Sequence, residues 1–213
     1  SALQGTGTLT IGGGGHFNFS NSVNVTGGLT ASGGSSANIT LADYTGGRVV
    51  LGASDNEYGG ALSGKLNIQG QIHSGPDNAY GGGIQAYTSA TRPLDLLTGS
   101  VISGNSLSVV NSTEAYPEAM GGGVYASYIG VLGGTVSGNT IKITVTEPDG
   151  TAYTEGGGVY AGGTYTNTPA FATLSGTVSG NISEVEGTAN TGEMQAWGGG
   201  VRVSGLDGYG LVA

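Results

Sequence analysis

The chain has 213 residues, of which 46 are glycine and none cysteine; charged residues make up 9% and the formal net charge is −9. An acidic balance of this kind excludes nucleic-acid binding and attraction to anionic lipid, and glycine without a strict every-third spacing excludes collagen. Hydrophobic residues at 37% set the chain apart from disordered sequences, which are richer in charge and poorer in β-branched residues.

In chain order, short alternating runs bounded by Gly, Asn, Ser and Asp recur at 6–11, 22–26, 37–41, 47–51, 65–72, 106–110, 140–145 and 200–203. This is the pattern of half-buried strands. No window carries apolar residues at helical spacing without glycine intruding, so the chain is read as all-β. No run of about 18 apolar residues predicts a transmembrane helix. The chain begins with Ser1 and has no leader pattern, which reads as a processed mature form or a piece of something longer. Without cysteine, stability is expected from backbone ladders running along a stack.

Two short motifs alternate down the chain. Gly-Gly-Gly followed by a β-branched residue occurs at 81–84, 121–124, 156–159 and 198–201, and Ser-Gly-Asn occurs at 103–105, 137–139 and 179–181. Motifs alternating in fixed order indicate one unit stacked on copies of itself. The stretch from each Ser-Gly-Asn to the next triplet (103 to 121, 137 to 156, 179 to 198) is nearly constant. The return stretch (81 to 103, 121 to 137, 156 to 179) varies. The constant half is read as one coil and the variable half as a second coil with loops of differing length. At roughly 20 residues per coil this predicts about ten coils in a rod about 50 Å long. A partial copy around Tyr58 precedes the first triplet. Residues 1–57 are therefore read as an N-terminal cap with degenerate coils, and 58–213 as regular repeats in one continuous domain.

After each triplet, Ile84, Val124, Val159 and Val201 are expected to stack in one core column, with Ala86, Ala126, Ala161 and Val203 on the same face. Gln85, Tyr125, Tyr160 and Arg202 are expected on the outside. Asn105, Asn139 and Asn181 occupy equivalent bends, where stacked side-chain amides form a hydrogen-bonded ladder. A phosphate cradle would need a helix after the glycines and a Lys-Ser or Lys-Thr pair, and neither follows.

The run GGGVY…GGTVSGNT at 121–140, echoed by GGGVY…LSGTVSGN at 156–181, resembles the degenerate repeats of large bacterial surface proteins. These are the polymorphic outer-membrane proteins and autotransporter-like adhesins. The resemblance covers about residues 58–205. It implies a single right-handed parallel β-helix of the pectin-lyase-like class, secretion to the extracellular side or the bacterial cell surface, and a role in adhesion or as a stalk.

That fold class includes polysaccharide lyases and hydrolases, so catalysis must be weighed. Most of the 14 acidic residues fall in loop-like segments, without the paired carboxylates that glycoside hydrolysis requires. His16 and His73 fit no metal-binding spacing, and Asp55 with Glu57 is far short of a calcium cage. The expectation is a non-enzyme without catalytic residues, metal or other cofactor. Tyr125, Tyr160, Tyr128 and Tyr165 remain as candidate surface contacts for a sugar or protein, set against simple stacking between coils. The predicted function is a non-catalytic extracellular adhesin, stalk or filament subunit. Its partners would be a host or cell-surface protein or glycan met through loops around 88–98, 111–119 and 161–172, or further copies joined end to end through 1–20 and 200–213. A polysaccharide-binding or polysaccharide-degrading β-helix is the alternative.

Overall fold

Glycine, asparagine and serine interrupt the chain every few residues, so strands stay short and must find hydrogen-bond partners far away in sequence. A computed structural model gives the fold over residues 2–34, 37–53, 56–58, 62–68, 71–74, 78–89, 91, 93–111, 116–146, 151–162, 171–187 and 193–204. Among these residues there is no helix, and the ladders between named strands are parallel. Stacked parallel sheets of this kind fit a β-solenoid. The expected strand at 65–72 is two strands, Leu62–Ile68 and Gln71–Ser74. Ala37–Gly46 runs longer than expected because its first half pairs with Gly15–Phe19 and its end with Val23–Val25.

Among the described residues five sheets lie side by side. The first sheet holds Leu3–Gly5, Val23–Val25, Ala37–Gly46, Leu62–Ile68, Val101–Ser103, Thr135–Ser137 and Thr177–Ser179, with Gly15–Phe19 attached at its side. The second holds Leu9–Ile11, Leu29–Ala31, Val49–Leu51, Ile84–Ala86, Val124–Ala126, Val159–Gly162 and Val201–Ser204. Gln71–Ser74, Ser106–Asn111, Thr140–Val145 and Ile182–Gly187 make the third; Ala79–Tyr80, Glu118–Met120, Ala152–Glu155 and Met194–Trp197 make the fourth. The fifth is Leu94–Leu96, Ile129–Leu132 and Phe171–Leu174. Beyond residue 100 the chain visits these sheets in the order first, third, fourth, second, fifth.

Register corrects the expected coil length. In the second sheet Leu9, Leu29 and Val49 are evenly spaced partners, as a small coil would require. Beyond Val49 the steps nearly double: Val49 pairs with Ile84, Ile84 with Val124, Val124 with Val159 and Val159 with Val201. The stretch from Ser-Gly-Asn to the triplet is therefore not a coil of its own. It is an arm, third sheet out and fourth sheet back, added to one larger turn. The strands at 9–11, 29–31 and 49–51 continue the same sheet without a break, and the turns between them lack both this arm and a strand of the fifth sheet among the described residues.

Two cores follow from that shape. The first is filled by Leu41, Leu51, Leu66, Ile84, Leu96, Ile102, Val124, Val136 and Val159 among others. The second lies inside the arm, between Leu107, Val109, Ile141, Ile143 and Val145 of the third sheet and Ala79, Ala119 and Ala152 of the fourth. Period-two alternation sorts the side chains: in Thr140–Val145 the three aliphatic residues are buried while Thr140, Lys142 and Thr144 are half-buried.

The two motifs meet at the waist between the cores. Gly104, Gly138 and Gly180 have φ of 65°, 62° and 61°, a left-handed bend that sends the chain from the first sheet into the third. The asparagine after each then stacks on its neighbour. Asn105 donates from Nδ2 and from its main-chain N–H to Asn139 Oδ1, at 2.7 and 3.0 Å. Asn139 does the same to Asn181 Oδ1, at 2.8 and 3.0 Å. The amides also donate across to the first sheet, Asn139 to the Ile102 carbonyl and Asn181 to that of Val136. Opposite them stands the third glycine of each triplet. A Cβ on Gly123 would lie 2.8 Å from Asn139 Nδ2, and one on Gly158 would lie 2.6 Å from Asn181 Nδ2.

Asn139 is fully buried, so its loss strands several donors and acceptors. Asn139→Ala is expected to cost about 2–4 kcal/mol in urea unfolding, well above a half-buried neighbour such as Thr140→Ala. Gly123→Ala forces the amide column apart and is expected to cost about 1–3 kcal/mol.

Candidate functional site: an aromatic and acidic face

Each glycine triplet folds the fourth sheet sharply onto the second. Gly81, Gly121, Gly156 and Gly198 open these corners with φ of 60–70°. Two lines of outward residues flank the corners. On the fourth sheet Tyr80, Met120, Glu155 and Trp197 are successive partners, each immediately preceding a triplet. On the second sheet the line is Val50, Gln85, Tyr125, Tyr160 and Arg202.

The rings from both lines pack together. Tyr125 and Tyr160 stack with centroids 5.5 Å apart and planes 4° from parallel. Tyr80 lies 4.9 Å from Tyr125 at 40°, and Tyr87 meets the same ring edge-on at 5.5 Å. One rung further, Tyr153 stacks on Trp197 at 5.6 Å and the Arg202 guanidinium sits 5.0 Å above the indole. Offset and edge contacts of this kind suit the ring quadrupoles, and the cation favours the indole face.

Of the four candidate contact tyrosines, the geometry alters the reading of three. Tyr125 is half-buried, whereas Tyr160 is 7% and Tyr128 4% exposed. The expected outside position is thus largely covered, because the fourth sheet bends back over it. Tyr128 is held instead by Thr88, whose Oγ1 donates to the Tyr128 carbonyl at 2.8 Å and accepts its N–H at 3.1 Å. Tyr165 lies outside the described residues. The stack residues Ile84, Val124, Val159 and Val201 are mutual register partners, each at most 2% exposed.

Charged groups on this face are tied to the rungs. Glu155, 9% exposed, accepts from Arg202 Nε at 3.1 Å. Arg48 reaches from an earlier turn to the Gly81 carbonyl at 2.8 Å, and also donates to the Tyr80 carbonyl and to Gln85 Oε1. Burial lowers its pKa to about 10, against the opposing influence of Tyr87. Burial raises the Tyr125 phenol, and the neighbouring tyrosines Tyr87, Tyr160 and Tyr80 add to the shift. Glu118, on the outer side of the fourth sheet, is pushed above the ordinary carboxylate range by burial and then by Glu155. Among the described residues no group of three His, Cys, Asp or Glu is placed to hold a metal ion.

What this arrangement does chemically follows from the ring faces. A sugar binds an aromatic residue by lying on its open face. Tyr125 and Tyr160 present their faces to each other, and Trp197 has Tyr153 and Arg202 packed against it. The face therefore offers ring edges, hydroxyls and carboxylates rather than stacking platforms. Comparison with protein-family models, with curated proteins and with solved structures returned no match.

Sequence reasoning found the second-sheet tyrosines but missed Tyr80, Tyr87, Glu118, Glu155, Trp197 and Arg48. One signal was available: the residue before each triplet, read across copies as Tyr80, Met120, Glu155 and Trp197, is always large. Arg48 carries no such mark, since it belongs to a turn with neither motif.

The Glu118 shift has a defined sign. A carboxyl held protonated to higher pH in the fold than in the open chain destabilises the fold when charged, and that cost vanishes as pH falls through the folded pKa. Glu118→Gln is expected to raise the melting temperature at pH 7, with the gain shrinking to nothing as the pH falls below the usual carboxylate range. Parallel thermal melts of the two proteins check this.

Proposed function

We propose that this chain is a non-catalytic, right-handed β-helix of pectin-lyase-like architecture, with about one turn per strand of the second sheet, that works outside the cell on a bacterial surface as an adhesin or stalk. The observation that carries the reading is the use to which the polar side chains are put. The Asn105–Asn139–Asn181 ladder, the Glu155–Arg202 pair and the Lys142 contacts to Glu184 and Glu186 all join one rung to the next. Residues of the types that perform catalysis are here devoted to axial cohesion, as a load-carrying spacer requires.

The display surface is the tip of the arm. Third-sheet and fourth-sheet strands are joined there between Ser74 and Ala79, Asn111 and Glu118, Val145 and Ala152, and Gly187 and Met194. The last three start from Asn111, Val145 and Gly187, which are successive register partners, and so form a repeated set on a stiff support. A host or cell-surface glycan or protein is the proposed partner. The polysaccharide-degrading alternative has less support, because the aromatic faces that would hold a sugar are covered.

Exchange of the four arm-tip segments for Gly-Ser linkers is expected to abolish binding of the protein to cells or to a glycan and cell-surface protein array, with the melting temperature little changed. Binding that survives all four exchanges would defeat the adhesive reading. Release of reducing or unsaturated ends from any polysaccharide in a degradation screen would defeat the non-catalytic one.

A further inference from the structure

The second-sheet line that crosses the aromatic face reads Gln85, Tyr125, Tyr160 and Arg202 in ladder register. Only its two middle members carry rings, so one pair of in-register phenols stands between side chains of other kinds. Successive strands of a parallel ladder lie about 4.8 Å apart, which keeps the two tyrosines side by side. Their rings are stacked, with planes 4° from parallel and centroids 5.5 Å apart. The other phenols that touch Tyr125 meet it at an angle, Tyr80 at 40° and Tyr87 at 63°.

That difference in angle decides which pair can react. A phenol that loses one electron and its hydroxyl proton becomes a phenoxyl radical. Its unpaired density lies on the oxygen and on the ring carbons ortho and para to it, in p orbitals perpendicular to the plane. Near-parallel planes point these orbitals at one another, whereas tilted planes turn them aside. The surroundings also suit the loss of the proton. Burial first of all raises both phenols, so phenolate does not form at neutral pH and electron and proton must leave together. Glu118 acts on both phenols and Glu155 on that of Tyr160, so carboxylates are at hand as proton acceptors. Ser204 hydrogen-bonds to the Tyr160 phenol and eases the same loss. A competing positive charge on the Trp197 indole is opposed by the Arg202 guanidinium held against its face.

We propose that Tyr125 and Tyr160 form an oxidative cross-linking site, at which a one-electron oxidant of phenols joins the two rings through the carbons ortho to their oxygens. Each ring gives one electron to one equivalent of oxidant and one proton to a carboxylate or water. One carbon–carbon bond then forms between the two radicals. The hydrogen on each newly bonded carbon leaves as a proton and each ring oxygen takes one up, which restores both phenols. The pair loses two hydrogen atoms in all, as two electrons to the oxidant and two protons to the medium. The new bond ties the turn of Val124–Ala126 to that of Val159–Gly162, a role that cysteine cannot take in this chain, which has none.

The test oxidises the intact chain, at high dilution, with photo-generated ruthenium(III) tris-bipyridyl. The expected product is a monomer lighter by two hydrogen atoms, with blue dityrosine fluorescence and a proteolytic fragment in which Tyr125 is joined to Tyr160. Tyr125→Phe and Tyr160→Phe keep the ring stack and should each abolish that fragment. Tyr116→Phe, at a tyrosine 65% exposed, should leave it in place. Oxidation in denaturing urea should lower its yield about tenfold or more, since the fold no longer holds the rings together. The linked chain should also unfold at higher urea than the untreated one, because the bond restricts the open chain. Absence of a linked monomer, a link between other tyrosines in its place, equal yield in urea, or an unchanged unfolding midpoint would overturn the proposal. The urea comparison and the assignment of the fragment use the unaltered chain, so they decide the matter even where a phenylalanine variant folds poorly.

Discussion

A column of buried asparagine amides pressed against a column of glycines holds this molecule in shape. At the waist the first sheet passes into the third, and the fourth passes into the second, in close contact with each other. Two chain segments lie together there in each motif-bearing rung, and the glycine-triplet segment has no room for a side chain. Asparagine supplies a planar group whose donors and acceptor point along the stack and across it. Glycine gives up its side chain so that the amide can lie flat against the opposing backbone, as the 2.6–3.0 Å clearances at Gly83, Gly123 and Gly158 require. Remove either column and the two cores lose their common wall.

From this waist follows the difference between the two ends of the chain. Where the motifs are absent, at Leu9, Leu29 and Val49, a turn is short and encloses a single core. Where they are present, as from Val124 to Val159 and on to Val201, a turn is nearly twice as long and encloses a second core inside the arm. The second core is built from small residues on one side, Ala79, Ala119 and Ala152, and longer aliphatic ones on the other, so that two sheets pack closely over a short span. Towards the C-terminal end it becomes more polar: Ser183 follows Ile141 in register and bonds to the buried Thr154 at 2.9 Å.

The aromatic face is a by-product of the same corner. Because the fourth sheet is bent back over the second, residues that alternation places outside, Tyr125 and Tyr160 above all, are brought against Tyr80, Glu118 and Glu155 of a different strand. Their raised phenol pKa values, due first to burial, record how far the corner closes. Alternation along one strand predicts which side of a sheet a residue takes, but says nothing of what a second sheet does beyond that side. That is why Tyr125 and Tyr160 were legible as aligned residues and illegible as covered ones, and why Arg48, joined to Tyr80, Gly81 and Gln85 from a motif-free turn, left no trace in the repeat arithmetic.

Strand character, parallel stacking and the columns Ile84–Val124–Val159–Val201 and Asn105–Asn139–Asn181 were readable from residues alone, because identical side chains at a fixed place in a repeat have one low-energy arrangement, lying over one another. The closing point of each turn was not. The near-constant step from Ser-Gly-Asn to the next triplet fits a small coil as well as it fits the out-and-back path of an arm, and local pattern is the same in both. Long-range pairing separates them: Val124 meets Val159 rather than a residue half as far along the chain, because only the larger turn brings the asparagine bend and the glycine corner face to face and satisfies the buried polar groups of both.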